Sequence, residues 1–204
     1  MYKNIVFDCG QVLVHFDPTN IVRCYLTDED DIKRVEEVVF SRPAPWALMD
    51  EDKMSVEEAK QYFAEKLNDE RLTKAACRLL DNWMFNLPVI SGVYECIEKL
   101  KAAGKNIYLI SNINMTFADR CMEVPSFNRL FSNFSGLVFS AKEALCKPDP
   151  EIFTRFLNRY NLDAKDCIFV DDTLENLDGA KKAGIDGYHF DQNFKKLTAY
   201  LLGE

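Results

Sequence analysis

At about 100–200 residues per domain, a chain of 204 residues makes one domain, or one domain with an insert. It is 48% hydrophobic and 28% charged, the balance of an ordinary globular fold. Its 33 acidic and 25 basic side chains leave a formal charge of -8, which offers no footprint to a nucleic-acid backbone and suits an anionic lipid surface poorly.

Residues 4–13 read as a buried strand running into a turn: Ile5-Val6-Phe7, then Asp8-Cys9-Gly10-Gln11, then Val12-Leu13-Val14. Continuous apolar runs of this kind belong to strands covered on both faces, as in a parallel sheet. Helix follows. Thr27 with Asp30 makes a capping box ahead of Ile32, Val35, Val38 and Val39, and Arg42-Pro43-Ala44-Pro45 breaks that helix. Ser55 with Glu58 makes a second box ahead of Val56, Ala59, Phe63 and Leu67. A third helix carries Ala76, Leu80, Trp83 and Met84 and stops before Pro88. No strand-like alternation interrupts residues 19–86, so an all-helical insert is expected.

The pattern then changes. Val93, Ile97 and Leu100 form a helix that ends at Gly104, a suitable C-terminal cap. Ile107 to Ile110 is a strand ending in Ser111-Asn112, and a polar helix follows it. Leu137-Val138-Phe139 is the next strand. Pro148 and Pro150 open a helix bearing Ile152, Phe156, Leu157 and Tyr160. Cys167 to Val170 is a strand ending in Asp171-Asp172, a helix runs to Gly184, and a strand at Tyr188–Phe190 precedes a last helix. Alternation of strand and helix predicts an α/β fold, a Rossmann-like doubly wound parallel sheet. The expected division is a core of residues 1–14 plus 89–204 and an inserted helical cap of residues 15–88.

Several chemistries have no support. No GxxxxGK[ST] or GxGxxG loop occurs. The seven cysteines include no CxxC pair, and the two histidines, His15 and His189, sit in no zinc pattern, so free thiols of a reducing compartment are expected. Two histidines also leave little scope for a Ser-His-Asp or Cys-His site. No apolar run approaches the ~20 residues of a membrane helix. The run at Ile5–Phe7 is too short for the core of a signal peptide, and a cytoplasmic location is the expectation.

Polar residues cluster where apolar runs stop: Asp8, Ser111-Asn112 and Asp171-Asp172. In a parallel sheet these ends share one edge, which is where such sheets bind ligands. Each alone is explained as a turn former or helix cap. Three strand ends together with Lys147 point instead to a site for a hard divalent cation beside a phosphate.

Four segments carry a resemblance: Phe7-Asp8-Cys9-Gly10-Gln11-Val12, Leu109-Ile110-Ser111-Asn112, Lys147-Pro148-Asp149-Pro150, and Val170-Asp171-Asp172-Thr173 with Asn176. In this order they resemble the signatures of haloacid dehalogenase superfamily hydrolases, the phosphatase branch with a helical cap, and the chain is similar to sugar-1-phosphate phosphatases of that branch. The resemblance implies an Mg2+-dependent hydrolase of phosphate monoesters acting on a small phosphorylated metabolite, with sugar phosphates among the candidates. It implies Asp8 as the nucleophile that becomes an aspartyl-phosphate. Asp8, Asp172 and the main-chain carbonyl of Gly10 would be metal ligands, and Asp171 would hold metal-bound water. The Ser111 hydroxyl and the Asn112 N–H would hold phosphate oxygens, and Lys147 would neutralise the phosphate.

One position departs from the pattern. The family's phosphatases carry a second Asp two residues after the nucleophile as general acid and base, and here that residue is Gly10. His15 and Asp17 are the nearest titratable groups along the chain. The missing donor implies a preference for aryl phosphates and sugar-1-phosphates over sugar-6-phosphates, because a poor leaving group needs a proton most. Gly10 is also a candidate for a positive φ, at which a side chain would strain the turn. Two other readings stand beside the phosphatase: a catalytically weak or inactive binding protein of the same fold, and a metal-free 2-haloacid dehalogenase. Within the cap, Arg23, Arg42, Trp46 and Tyr62 are candidates to reach a substrate, although packing or solvation also explains each of them. Oligomeric state is not legible.

Overall fold

The computed structural model describes residues 2–41 and 45–204. Arg42, and with it most of the expected helix break, lies outside the described residues. Five parallel strands form one sheet in the order β3-β2-β1-β4-β5: β1 (Asn4–Phe7), β2 (Asn106–Ser111), β3 (Gly136–Phe139), β4 (Cys167–Asp171) and β5 (Asp186–His189). Alternation along β1 explains how the sheet is covered. Val6 faces one layer, with Tyr108, Ile110, Val138 and Phe169, against Ile152, Phe153 and Phe156. Ile5 and Phe7 face the other, with Leu109, Ile168 and Val170. That second core runs without a break into the helical insert, where Phe63, Leu79, Leu80 and Trp83 are buried.

The insert comprises α1 (Pro18–Arg23), α2 (Glu29–Phe40), α3 (Pro45–Asp50), α4 (Val56–Leu67), α5 (Glu70–Asn82) and a 3-10 turn at Trp83–Asn86. The capping box before α4 forms as expected: Glu58 N donates to Ser55 Oγ at 3.2 Å, and Ser55 N donates to Glu58 Oε2 at 2.8 Å. Ahead of α2 the cap is Asp28 rather than Thr27. Its carboxylate accepts from the backbone N–H of both Asp30 and Asp31 at 3.1 Å, and an anion at a helix N-terminus gains more than a hydroxyl.

After the insert come α6 (Val93–Ala102), α7 (Met115–Arg120), α8 (Pro125–Phe131), α9 (Ser140–Glu143), α10 (Pro150–Tyr160), α11 (Leu174–Lys182) and α12 (Phe194–Leu202). The single polar helix expected after β2 is two short ones, α7 and α8, whose Phe117, Phe127, Leu130 and Phe131 are buried. The helix expected to open at Pro148 begins at Pro150, capped by Asp149, which leaves Lys147 and Pro148 in the loop before it. The last strand, read as Tyr188–Phe190, starts two residues earlier and ends one earlier, at Asp186–His189.

The two chain crossings between sheet and insert pair with each other. His15 N donates to Pro88 O, and Ile90 N donates to Leu13 O, both at 2.9 Å.

Candidate active site

The sheet changes winding direction beside β1: β2 and β3 lie on one side of it, and β4 and β5 on the other. Ligands of open α/β sheets bind beyond the strand ends at such a point. Asp8 follows β1, its backbone N–H still donating to Val170 O at 2.9 Å, and Asp171 closes β4 next to it.

Lys147 joins the two. Its Nζ lies 2.7 Å from Asp8 Oδ1 and 2.7 Å from Asp171 Oδ2. Burial pulls the ammonium down, but the charges of Asp8 and Asp171 outweigh that, and Lys147 is held above its ordinary value. Burial acts the other way on Asp8 and pushes its carboxyl up to about 6, against the lowering pull of Lys147. The 2.7 Å contact with the Lys147 ammonium favours the charged form of Asp8.

Asp171 is fully buried and fully engaged. Besides Lys147 it accepts from Thr173 N at 2.8 Å and from Asn176 Nδ2 at 3.1 Å on both oxygens. Asp172 takes part in none of these bonds. It is half-buried, and burial followed by the charge of Asp171 raises its carboxyl. Carboxylate oxygens of Asp8, Asp171 and Asp172 all lie within 4.8 Å of one another. An all-oxygen anionic set of this kind fits a hard divalent cation. Asp8 and Asp171 both pair with Lys147, and Asp171 alone of the three also accepts from Thr173 N and Asn176 Nδ2 through its carboxylate.

A cavity of about 220 Å3 opens over these groups, with Asp8, Gly10, Ser111, Asn112, Lys147 and Asn176 in its floor. Larger hollows of about 680 and 890 Å3 lie beside α12 and between α2 and α5. Neither is lined by Asp8, Lys147 or the residues that follow β2, and the convergence of charge decides for the smaller cavity.

Sequence reasoning missed three features of the site. Asn112 uses its side chain to clamp the Lys147 backbone: its Nδ2 donates to Lys147 O, and its Oδ1 accepts from Lys147 N, both at 2.8 Å. Asp50, at the end of α3, lines the cavity and is the acid there besides Asp8 among the described residues. Its carbonyl accepts from Ser140 Oγ at 2.6 Å, and that hydroxyl in turn accepts from Ile113 N at 2.8 Å. The insert is thus tied to the loop after β2. Neither feature has a local sequence signal.

The third feature had a signal. Gly179 interrupts a helical pattern, which commonly marks close packing. A Cβ there would fall 2.2 Å from Pro148 O, so α11 meets the Lys147 loop only with Gly at this position. Gly179→Ala is therefore expected to cost about 1–3 kcal/mol and to lower turnover by moving Lys147. Thermal unfolding and kcat measured on the one variant check both effects, and an unchanged kcat would break the link to Lys147.

The titratable neighbours named from sequence stay outside the cavity. His15 is exposed, and Asp17 is the exposed cap of α1, accepting from Asn20 N at 3.1 Å. Gly10 lacks the positive φ expected of it; Gln11 carries it instead, at 55°. Of the cap candidates, Trp46 lines the cavity, Arg23 pairs with Glu29 at 3.0 Å, and Tyr62 lies against Lys66.

The model of the haloacid dehalogenase-like hydrolases matches residues 2–184. The chain belongs to this family. A sesquiterpene phosphatase, astK, of Aspergillus oryzae is 32% identical over 99 residues, 46% of this chain and 46% of its own length. The chain spans less than half the length of the curated relatives it matches. Among solved structures, a predicted HAD-like family hydrolase from Porphyromonas gingivalis superposes with a TM-score of 0.79 at 22% identity, covering 100% of this chain and 99% of that one. The HAD family enzyme bt-2542 of Bacteroides thetaiotaomicron, in complex with magnesium and inorganic phosphate, gives 0.73 at 21% identity, covering 92% and 93%. At these identities the likeness speaks for the fold, which is that of the haloacid dehalogenase-like hydrolases.

Proposed function

We propose that the chain is an Mg2+-dependent phosphatase that hydrolyses a small phosphorylated metabolite through an aspartyl-phosphate on Asp8. One arrangement carries the reading: a buried Asp8 carboxylate lies 2.7 Å from the Lys147 ammonium, within metal-sharing reach of Asp172. The activity of the Aspergillus relative and the ligands of the Bacteroides enzyme support it.

Asp8 attacks phosphorus as the ester oxygen departs with the bonding pair. Water then attacks the same phosphorus and frees the carboxylate. Lys147 lies against Asp8 and so against the transferring group, where its charge offsets the phosphate's. Asp171 and Asn112 hold that ammonium in place, one through its charge and the other through the Lys147 backbone. Ser111 and the Asn112 N–H take phosphate oxygens. When bound by Asp8, Asp172 and the Gly10 carbonyl, Mg2+ neutralises charge on nucleophile and phosphate.

The dehalogenase reading has less support. Asp171 has work to do without a metal, since it holds Lys147, but a metal-free site has no use for Asp172. Phosphate release from p-nitrophenyl phosphate with Mg2+ and with a chelator tests the proposal. Turnover that requires the metal is expected. Halide release from a 2-haloacid without metal would replace the reading with a dehalogenase, and no turnover of either would leave a binding protein.

Gly10 makes a further expectation concrete. A Cβ there meets only Phe16 Cβ, at 3.7 Å, an ordinary contact, so Gly10→Asp is expected to fold normally. General acid catalysis contributes about 10²–10⁴-fold, mostly to poor leaving groups. Wild type is expected to slow steeply from aryl to alkyl phosphates, and Gly10→Asp to recover about 100-fold on the alkyl esters. kcat across phosphates of graded leaving-group basicity measures this. A flat wild-type series would assign the proton to Asp50, the other acid in the cavity, rather than to the exposed His15.

A further inference from the structure

The cavity has two unlike halves. Its floor is the phosphate end just described, and its upper wall is Val14, Phe16, Trp46, Trp83, Leu87 and Ile113. The rings of that wall form one cluster. Trp83 lies 4.9 Å from Trp46 and 5.7 Å from Phe16 by ring centroids, both edge-on, and Phe16 lies 5.8 Å from Trp46. The three come from the crossing after β1, from α3 and from the turn after α5, so the insert and the crossing that carries it supply them together. A second observation points to a ligand. Trp83 is 2% exposed, yet its indole N–H has no hydrogen-bond partner among the described residues. A buried donor without a partner is costly, and buried Trp usually finds one.

We propose that this cavity takes a phosphate monoester whose alcohol is compact, apolar and about the size of one ring, with a single acceptor for the Trp83 N–H. The inference rests on the phosphatase reading and narrows its substrate class. Size agrees: an apolar cavity of roughly 150 Å3 holds a benzene ring, so about 220 Å3 seats a phosphoryl group and about one ring. Polarity sets the rest. Among the described residues that wall meets a sugar's hydroxyls mostly with apolar carbon, and each unmatched hydroxyl weakens binding. Asp50 is the exception on that side, and one carboxylate does not satisfy a sugar.

The test compares kcat/KM for benzyl phosphate and glucose 6-phosphate, both esters of primary alcohols, with acetyl phosphate as a probe of the chemistry that fills no wall. Benzyl phosphate is expected to exceed glucose 6-phosphate by about 100-fold or more. Trp46→Ala is expected to lower the ratio of benzyl to acetyl phosphate by about tenfold. Among ortho-, meta- and para-methoxybenzyl phosphates, one is expected to outperform benzyl phosphate by about threefold to tenfold, an advantage that Trp83→Phe abolishes. If acetyl phosphate is not hydrolysed, the phosphatase reading itself falls. If acetyl phosphate turns over but glucose 6-phosphate equals or beats benzyl phosphate, the apolar site is wrong while the phosphatase stands. If no methoxy isomer gains, or if Trp83→Phe keeps the gain, the N–H has no role in binding. Should Trp83→Phe fail to fold, the half-buried Trp46 variant and the substrate ratio still decide.

Discussion

Asp8→Asn is expected to abolish phosphate release, by about 10⁴-fold or more, while the fold survives. Losses of that order or larger follow removal of a nucleophile that acts as a unit with its neighbours. Asn keeps the shape of Asp but not the attacking charge. The fold has reason to tolerate the change, because Lys147 keeps its ion pair with Asp171 at 2.7 Å. The sign of the electrostatics agrees. Burial raises the Asp8 carboxyl to about 6 from its ordinary 3.8, so the protein disfavours the ionised form relative to the unfolded chain. That ionised form weighs against folding above pH 6, and a neutral Asn does not. Against that, the change leaves Lys147 with one counter-charge, so at pH 7 the variant should still unfold cooperatively, at a denaturant concentration below wild type by less than for Asp171→Ala, which also strips Thr173 N and Asn176 of their partner. Residual turnover above a few per cent would mean that another group attacks.

The adjacent acids at the end of β4 should separate cleanly. Asp171→Ala leaves the buried Lys147 with one counter-charge and strips the partners from Thr173 N and Asn176. Breaking a buried pair by removing one member costs about 3–5 kcal/mol, so a large loss of stability is expected with or without Mg2+. Asp172→Ala removes a half-buried carboxyl that burial and Asp171 already disfavour. It should leave stability nearly unchanged and weaken the Mg2+ dependence of activity by more than the ~10–100-fold typical of losing an outer partner. Denaturant unfolding and metal titration on both variants decide. Equal stability, or equal metal sensitivity, would overturn the division of labour.

The fold was legible where periodicity reports burial. Ile5-Val6-Phe7 and Cys167 to Val170 are apolar without alternation because both sheet faces are covered, and the Ser55–Glu58 box marks its helix in four residues. The region after β2 misled because α7 and α8 are too short for a periodic stripe to stand out, although their phenylalanines are in the core. The charged residues of the site were legible because strand ends share an edge. Their partners were not. Which acid holds Lys147, and that Asn112 grips its backbone, are contacts across 24 and 35 positions, set by how α11 and the 147–148 loop close over the sheet. Asp50 is a plain helix-end residue until the insert folds back. At Gly10 the glycine suggested left-handed backbone, but the turn puts that strain on Gln11.

Trapping the covalent intermediate tests the central claim most directly. The enzyme is mixed with a phosphate monoester labelled in the phosphoryl group, quenched in acid within a turnover, digested and mapped by mass. A single phosphoryl group on Asp8, stable in acid and released by hydroxylamine as an acyl phosphate is, is the result this account predicts. Phosphate release in steady state with no label on Asp8, or with an alkali-stable label on another residue, would contradict it.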